Sequence, residues 1–216
     1  MANEENERLI KHIRSIGYLK SKNIENALRE VPREFFVPES MKYLAYRDSP
    51  LYIGSNQTIS QPSTVVAMTE ALDVKEGQKI LEIGTGSGWQ AAVLAKLVGD
   101  KGFVYTIEII ENLVKFAREN LKKLNIKNVK VIKGDGSLGL KKYALFDRII
   151  ITAACPEIIK PLLKQLKVNG IMIIPIGNLY LQSMYVIKKL KKGIKKKSIG
   201  SFMFVPLTGK HGFKVR

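Results

Sequence analysis

The residues best equipped for chemistry sit in one run, Glu82-Ile83-Gly84-Thr85-Gly86-Ser87-Gly88, where a carboxylate precedes three glycines spaced two apart. Glycines so placed allow a tight turn and close approach of a ligand to the backbone, as happens where the first strand of an α/β sheet hands over to a helix. The glycine spacing alone does not separate ligand classes, because nicotinamide and flavin sites share it. Glu82 does separate them. It stands two residues before the first glycine, where a dinucleotide site usually carries an apolar residue. A carboxylate there repels a pyrophosphate but suits a ligand bearing an ammonium and a sulfonium. Glu108, expected at the end of the following strand, can accept both hydroxyls of a ribose, the plain alternative being a solvated strand end. Gly134-Asp135-Gly136 taken alone reads equally as a turn. With Glu82 and Glu108 in place, acceptance by Asp135 of a hydrogen bond from an adenine amine leads. S-Adenosylmethionine therefore fits these residues better than NAD.

The elements that must hold these residues follow from the hydrophobic periodicity. Two short helices are expected over 5–16 and 23–31, the second capped by Asn23. An irregular stretch follows from Pro32 to Pro62, and an irregular segment of that length in a compact protein is usually functional. From Lys79 onward, strands at 79–83, 103–107, 129–132, 147–152 and 171–176 alternate with helices at 90–98, 110–124 and 157–166. This spacing means βαβ units and a mostly parallel sheet with right-handed crossovers. Segments 180–188 and 198–205 flank Lys191-Lys192-Gly193 and read as a closing antiparallel hairpin. The expected fold class is α/β, a doubly wound, mostly parallel Rossmann-like sheet with an N-terminal helical extension and a C-terminal hairpin. Residues 1–216 are expected to form one domain: 1–62 on the acceptor side, 63–177 as the cofactor-binding core and 178–216 as the hairpin and closing segment.

Bulk properties exclude several function classes. The 216 residues are 45% hydrophobic and 25% charged, enough apolar material for a buried core. No apolar run reaches the ~18 residues that would span a bilayer, and the charged N-terminus lacks a secretory h-region. With Cys155 as the single cysteine, no intrachain disulfide can form, and a cytoplasmic protein is the simplest reading. The net charge of +17 is unevenly placed: Glu157 is the last acid, and thirteen basic residues follow it. Such a field could attract RNA or steer acidic peptides. The densest run, Lys188 to Lys197, contains no arginine or aromatic residue of the kind that grips nucleic acid, which favours a solvated surface.

The acceptor must be read from other segments. Thr152-Ala153-Ala154-Cys155-Pro156 lacks the Asn/Asp-Pro-Pro-aromatic stretch common in enzymes that methylate nucleobase amines. Cys155 has no neighbouring base to activate it and reads as a packing residue. Gln57-Thr58-Ile59-Ser60-Gln61-Pro62 precedes a helix beginning near Ser63; on physical grounds alone it is a capping turn served by Ser60 or Ser63. The wider pattern changes that reading. QTISQP, LEIGTGSGWQ, GDG, FDRIIITAACPEI and the late FVPLTG together resemble the protein-L-isoaspartate O-methyltransferase family, over about residues 5 to 212.

The resemblance implies methylation of the free α-carboxylate of isoaspartyl residues in damaged proteins, the ester then collapsing to a succinimide that partly reopens as aspartate. It implies that Ser60 lies at the transfer site and helps hold the acceptor carboxylate. Thr58 and Gln61 would shape the same loop, and Thr208 would close the site from the C-terminal side. Glu82, Gly84, Thr85, Gly86, Ser87, Gly88, Glu108, Asp135 and Gly136 would hold S-adenosylmethionine and its product S-adenosylhomocysteine, with no metal. Partners would be isoaspartyl proteins and peptides, with no obligatory nucleic acid or membrane and a monomer favoured. Three positions depart from the family pattern: Ser63 in place of histidine or tyrosine, Trp89 in place of tyrosine, and Cys155 in place of alanine. An isoaspartyl carboxyl, with a reference pKa near ~4, is ionised at neutral pH and needs no general base. Catalysis then reduces largely to positioning. His12 and His211 read as ordinary surface residues. The rival readings are an RNA methyltransferase of related fold, a non-catalytic module and, more distantly, a nicotinamide oxidoreductase.

Overall fold

The computed structural model describes residues 2–214. Helix α1 (Ala2–Ser15) and helix α2 (Lys22–Glu30) open the chain. Their apolar faces bury Ile10, Ile13, Ile24 and Leu28 against the main core. Asn23 is not the cap of α2: Ser21 occupies that position, and the turn is held from outside by Glu70, whose carboxylate accepts the N–H groups of Lys20 and Ser21 at 2.7 Å each. The stretch expected to be irregular contains two 3-10 turns, Arg33–Phe36 and Glu39–Leu44, and a hairpin of β1 (Leu51–Gly54) with β2 (Gln57–Ile59). Its two-residue turn places Ser55 and Asn56 at φ +54° and +56°, the left-handed pair that suits the twist of a tight hairpin.

After helix α3 (Pro62–Leu72) the chain alternates β3 (Lys79–Ile83), α4 (Trp89–Val98), β4 (Phe103–Glu108), α5 (Glu111–Lys123), β5 (Val129–Lys133), β6 (Phe146–Ile151), α6 (Lys160–Gln165) and β7 (Leu166–Gly177). Strands β8 (Gln182–Lys189) and β9 (Ile194–Phe202) complete a seven-stranded sheet in the order β5-β4-β3-β6-β7-β8-β9. The first five strands in that order run parallel, and β8 and β9 add antiparallel. The order reverses at β3, with β4 on one side and β6 on the other. This is the crevice in which open α/β sheets bind ligands, beyond the carboxyl ends of the strands. Ile149-Ile150-Ile151 is apolar without alternation because β6 is buried on both faces. Ile150 packs into the core beneath α1–α5, and Ile149 and Ile151 into a smaller core with Leu162 of α6.

Three expected elements differ, the first being the strand expected at 171–176, which already begins at Leu166. The helix predicted over 157–166 is only Lys160–Gln165, because the preceding residues are extended: Ala154 donates to Val205 O and Cys155 to Pro175 O, both at 2.8 Å. The last strand lies at 194–202 rather than 198–205. The turn at Lys191–Gly193 sets Lys189 against Ile194, so pairing with β8 ends at Phe202 and frees the following residues. The lysines of β9 are exposed on the sheet edge, where charge discourages pairing with another strand. Lys189 has a structural job, donating to Leu163 O and Leu166 O at the end of α6.

Candidate active site

A cavity of about 250 Å³ opens at the carboxyl ends of β3 and β4, lined on one side by Glu82 through Ser87 and Glu108, and on the other by Gln57 through Ser60. Gly84 has φ +90°, and a Cβ there would come within 2.5 Å of Thr152 Oγ1. That hydroxyl cannot yield, since it donates to Ile83 O at 3.0 Å and Gly84 O at 2.6 Å. Gly88 does not line the cavity. It lets α4 pack on α5, where an added Cβ would meet Ala117 Cβ at 3.3 Å.

The two carboxylates differ in kind. Glu108 is buried and already organised: it accepts the N–H of Gly86 and of Ile110, each at 3.0 Å. Glu82 is fully buried between Thr106 and Ile150 of the neighbouring strands, and among the described residues neither of its oxygens has a partner in hydrogen-bonding geometry. Burial pushes its carboxyl up to about 8; the Thr106 hydroxyl pulls it partly back and Glu108 pushes it further. Such a group favours its protonated form until a cation arrives to pair with it. An inward-facing acidic wall in a chain of net charge +17 therefore points to a cationic ligand.

The opposite wall is the β1–β2 hairpin, whose Ile53 lies 3.5 Å from where a Cβ on Gly86 would stand. Thr58 and Ser60 line the cavity and also a neighbouring groove bordered by Ile16, Tyr18 and Met203. Gln61 faces only that groove and donates to Asp48 Oδ2 at 3.1 Å. Ser60 does not cap α3, and neither does Ser63. The Ser63 N–H donates instead to Asp48 Oδ1 at 2.8 Å.

Residues freed from β9 thread back beside the loop after β6: Leu207 N donates to Ala154 O at 2.8 Å, which sets Val205, Pro206, Leu207 and Thr208 on the cavity rim. Asp135 does not line the cavity, although its neighbour Gly136 does. Its carboxylate ties down this closing segment, accepting from Lys210 N at 2.8 Å and from Ser137 N and Oγ at 2.9 and 2.6 Å. Partial burial works to raise this carboxyl, but these donors hold it below the usual range. Gly209, at φ +122°, is required at this junction because a Cβ would overlap Asp135 Oδ1. Removing the carboxylate in Asp135→Ala should loosen residues 207–213 and speed tryptic cleavage after Lys210 at least several-fold. Unchanged cleavage would mean the segment is held without it.

Cys155 is completely buried, and burial pushes its thiol up to about 12, the reverse of an activated nucleophile. The sequence reading missed Asp48 and Arg33, and it gave Trp89 and Val205 to Leu207 only as parts of family motifs, without a place on the cavity wall. The LYIGSNQTI pattern, two apolar runs around a turn-forming pair, was the available signal for the hairpin.

Comparison with known proteins places this geometry. The family model described as protein-L-isoaspartate(D-aspartate) O-methyltransferase matches residues 3–212. The protein-L-isoaspartate O-methyltransferase of Hyperthermus butylicus is 46% identical, over 98% of this chain and 91% of its own length. Protein-L-isoaspartate O-methyltransferase 1 of Archaeoglobus fulgidus is 50% identical, over 90% of this chain and 89% of its own. Among solved structures, a protein-L-isoaspartate O-methyltransferase superposes with a TM-score of 0.87 at 31% identity, covering 96% of this chain and 67% of that one. A Plasmodium falciparum protein of the same name, solved with S-adenosyl-L-homocysteine, gives 0.83 at 29% identity, covering 93% and 97%.

Proposed function

The chain belongs to the protein-L-isoaspartate(D-aspartate) O-methyltransferase family, and from that premise we propose how its residues divide the work. It is an S-adenosylmethionine-dependent enzyme that methylates the free α-carboxylate of L-isoaspartyl residues in proteins and peptides, which starts their repair through a succinimide. S-Adenosylmethionine supplies an electrophilic methyl group on a sulfonium. Glu82 and Glu108 form the wall that holds the cofactor, a role supported by the unpartnered buried carboxylate of the first and the loop-facing carboxylate of the second. Glycines 84 and 86, with Thr85, Ser87 and Gly136, give that wall its close backbone approach. Ser60 donates its hydroxyl to the acceptor carboxylate, and Thr58 and Thr208 bound the same space. Gln61 acts at one remove through Asp48.

The observation that carries this assignment is the meeting of the 57–60 hairpin and the glycine run across one cavity. Among the described residues the acceptor wall brings no histidine, lysine or carboxylate into the cavity, which suits an acceptor that arrives ionised. Ile59, Leu207 and Trp89 exclude water and strengthen the electrostatic contacts made there. We also read residues 1–216 as one domain working as a monomer in the cytoplasm. Support comes from α1–α5 packing into a shared core and from the solitary buried cysteine. Among the described residues no helix is long and apolar enough to cross a membrane.

The direct test is transfer of labelled methyl to two peptides differing only in isoaspartate versus aspartate, with bulk tRNA alongside. Base-labile label on the isoaspartyl peptide alone is the expected result; label on RNA alone overturns it. Glu108→Ala should weaken cofactor binding about 10- to 100-fold, the scale of lost charge-assisted hydrogen bonds. Unchanged affinity by calorimetry would remove Glu108 from the cofactor wall.

A further inference from the structure

Arg33 is only 1% exposed and spends its guanidinium almost wholly on backbone carbonyls. Nη1 donates to Ala45 O at 2.8 Å and Arg47 O at 3.2 Å, while Nη2 donates to Ser49 O at 2.9 Å and Ser60 O at 3.0 Å. Its plane also lies 5.4 Å from the ring of Trp89, the first residue of α4 and itself part of the cavity wall. Trp89 is fixed in turn by donating Nε1 to Val31 O at 3.0 Å. One buried side chain thus joins four points along 45–60 to the helix that starts from the glycine run. A planar fork with five donors can do this; an ammonium on a flexible stem cannot.

The charge is as telling as the hydrogen bonds. Burying a guanidinium is costly unless it is paired, yet Arg33 forms no ion pair among the described residues. Among the described residues Asp48 is the acid that acts on it by charge, and the Asp48 carboxylate is occupied by Ser63 N and Gln61 Nε2. Once a cationic ligand has ionised Glu82, the cavity is sorted by sign, with the carboxylates Glu82 and Glu108 on one wall and a buried cation bonded to the Ser60 carbonyl behind the other. A neutral acceptor would gain nothing from that arrangement. An anionic acceptor would be drawn to the Ser60 side and away from the acidic wall.

We propose that Arg33 is the positioning residue of the acceptor wall, fixing the Ser60 backbone so that its hydroxyl meets the acceptor carboxylate and biasing that wall toward an anion. The proposal rests on Ser60 being the acceptor contact. It assigns to Arg33 no contact with substrate or cofactor.

The test uses the full chain carrying Arg33→Lys, and Arg33→Gln as a second variant that keeps some hydrogen bonding without charge. For folded variant protein, the affinity for S-adenosylhomocysteine by calorimetry should stay within about two-fold of wild type. As for loss of the Ser60 hydroxyl, kcat for an isoaspartyl peptide should fall at least about ten-fold, with a smaller rise in KM. A merely structural role would instead lower cofactor affinity and active fraction together. A double-mutant cycle completes the test: if Arg33 acts through Ser60, adding Arg33→Lys to Ser60→Ala costs little beyond Ser60→Ala alone. Fully multiplicative losses, parallel loss of cofactor affinity, or failure of both variants to fold would each overturn the proposal. Wild-type protein inactive on the isoaspartyl peptide would instead be a failure of the activity assignment, and the same assay series separates the two cases.

Discussion

Cofactor binding by the wild-type protein at pH 7 should release most of a proton, and Glu82→Gln should abolish that release. Fully buried and with no partner in good hydrogen-bonding geometry among the described residues, the Glu82 carboxyl is pushed up to about 8, so it is largely protonated at pH 7 in the ligand-free protein. A cationic ligand favours the carboxylate and expels the proton. Calorimetric titration with S-adenosylmethionine in buffers of different ionisation enthalpy reads this directly, and affinity should tighten as pH rises from 6 to 8. Glu82→Gln should bind at least about ten-fold more weakly and lose both dependences, in keeping with one pKa unit of differential interaction per ten-fold. The same group sets the sign of a stability effect in the ligand-free protein. The unfolded chain loses the Glu82 proton near 4.5, whereas the folded chain keeps it to about 8. Its contribution is therefore fully present below pH 4.5 and is lost as pH rises to about 8, by up to roughly 4 kcal/mol. Urea denaturation of both proteins at several pH values isolates this term. A pH-independent difference between them would show that Glu82 is already ionised in the folded state.

Ser60→Ala should lower kcat by about 10²-fold, the usual scale for deleting one donor to a charged reacting group. Affinity for S-adenosylhomocysteine should stay within about two-fold. The hydroxyl lines the cavity from the hairpin wall, opposite the carboxylates, and it is not engaged in capping α3. The substitution removes no packing of consequence, so the melting temperature should barely move. A large loss of cofactor binding would sink the acceptor-side role of Ser60. A loss confined to KM would mean that it binds substrate and transition state equally.

Residues whose roles depend on their immediate neighbours along the chain are legible in the sequence. Glu82, Gly84 and Gly86 belong to one strand-to-helix turn, and Glu108 to the end of the next strand, so strand order alone carries them to a common crevice. The alternation of strands and helices from Lys79 to Ile176 likewise follows from local periodicity, and its errors stay within a few residues. The acceptor loop is legible only through QTISQP and VPLTG as a family pattern, since their physics also fits a capping turn. Other features depend on contacts distant in sequence. Only the structure shows that Asp135, expected to face an adenine, also ties down the closing segment, its carboxylate accepting from Ser137 and Lys210 because Gly209 admits that segment beside it. Segment 203–208 leaves the sheet because the hairpin register ends pairing at Phe202.

The sequence by itself determined the fold class, the family and the gathering of Glu82, Glu108 and the glycine run at one crevice, because strand periodicity, glycine spacing and short motifs are encoded within a few residues of one another. Tertiary structure alone decided how the cavity wall around Ser60 is held. Arg33 reaches Ser60 across 27 positions and Asp48 reaches Ser63 across 15. Glu82 becomes a poised acid because its neighbours in the sheet come from residues around 106 and 150. Desolvation and electrostatic sorting are properties of what surrounds a group in space, and no local pattern along the chain records them.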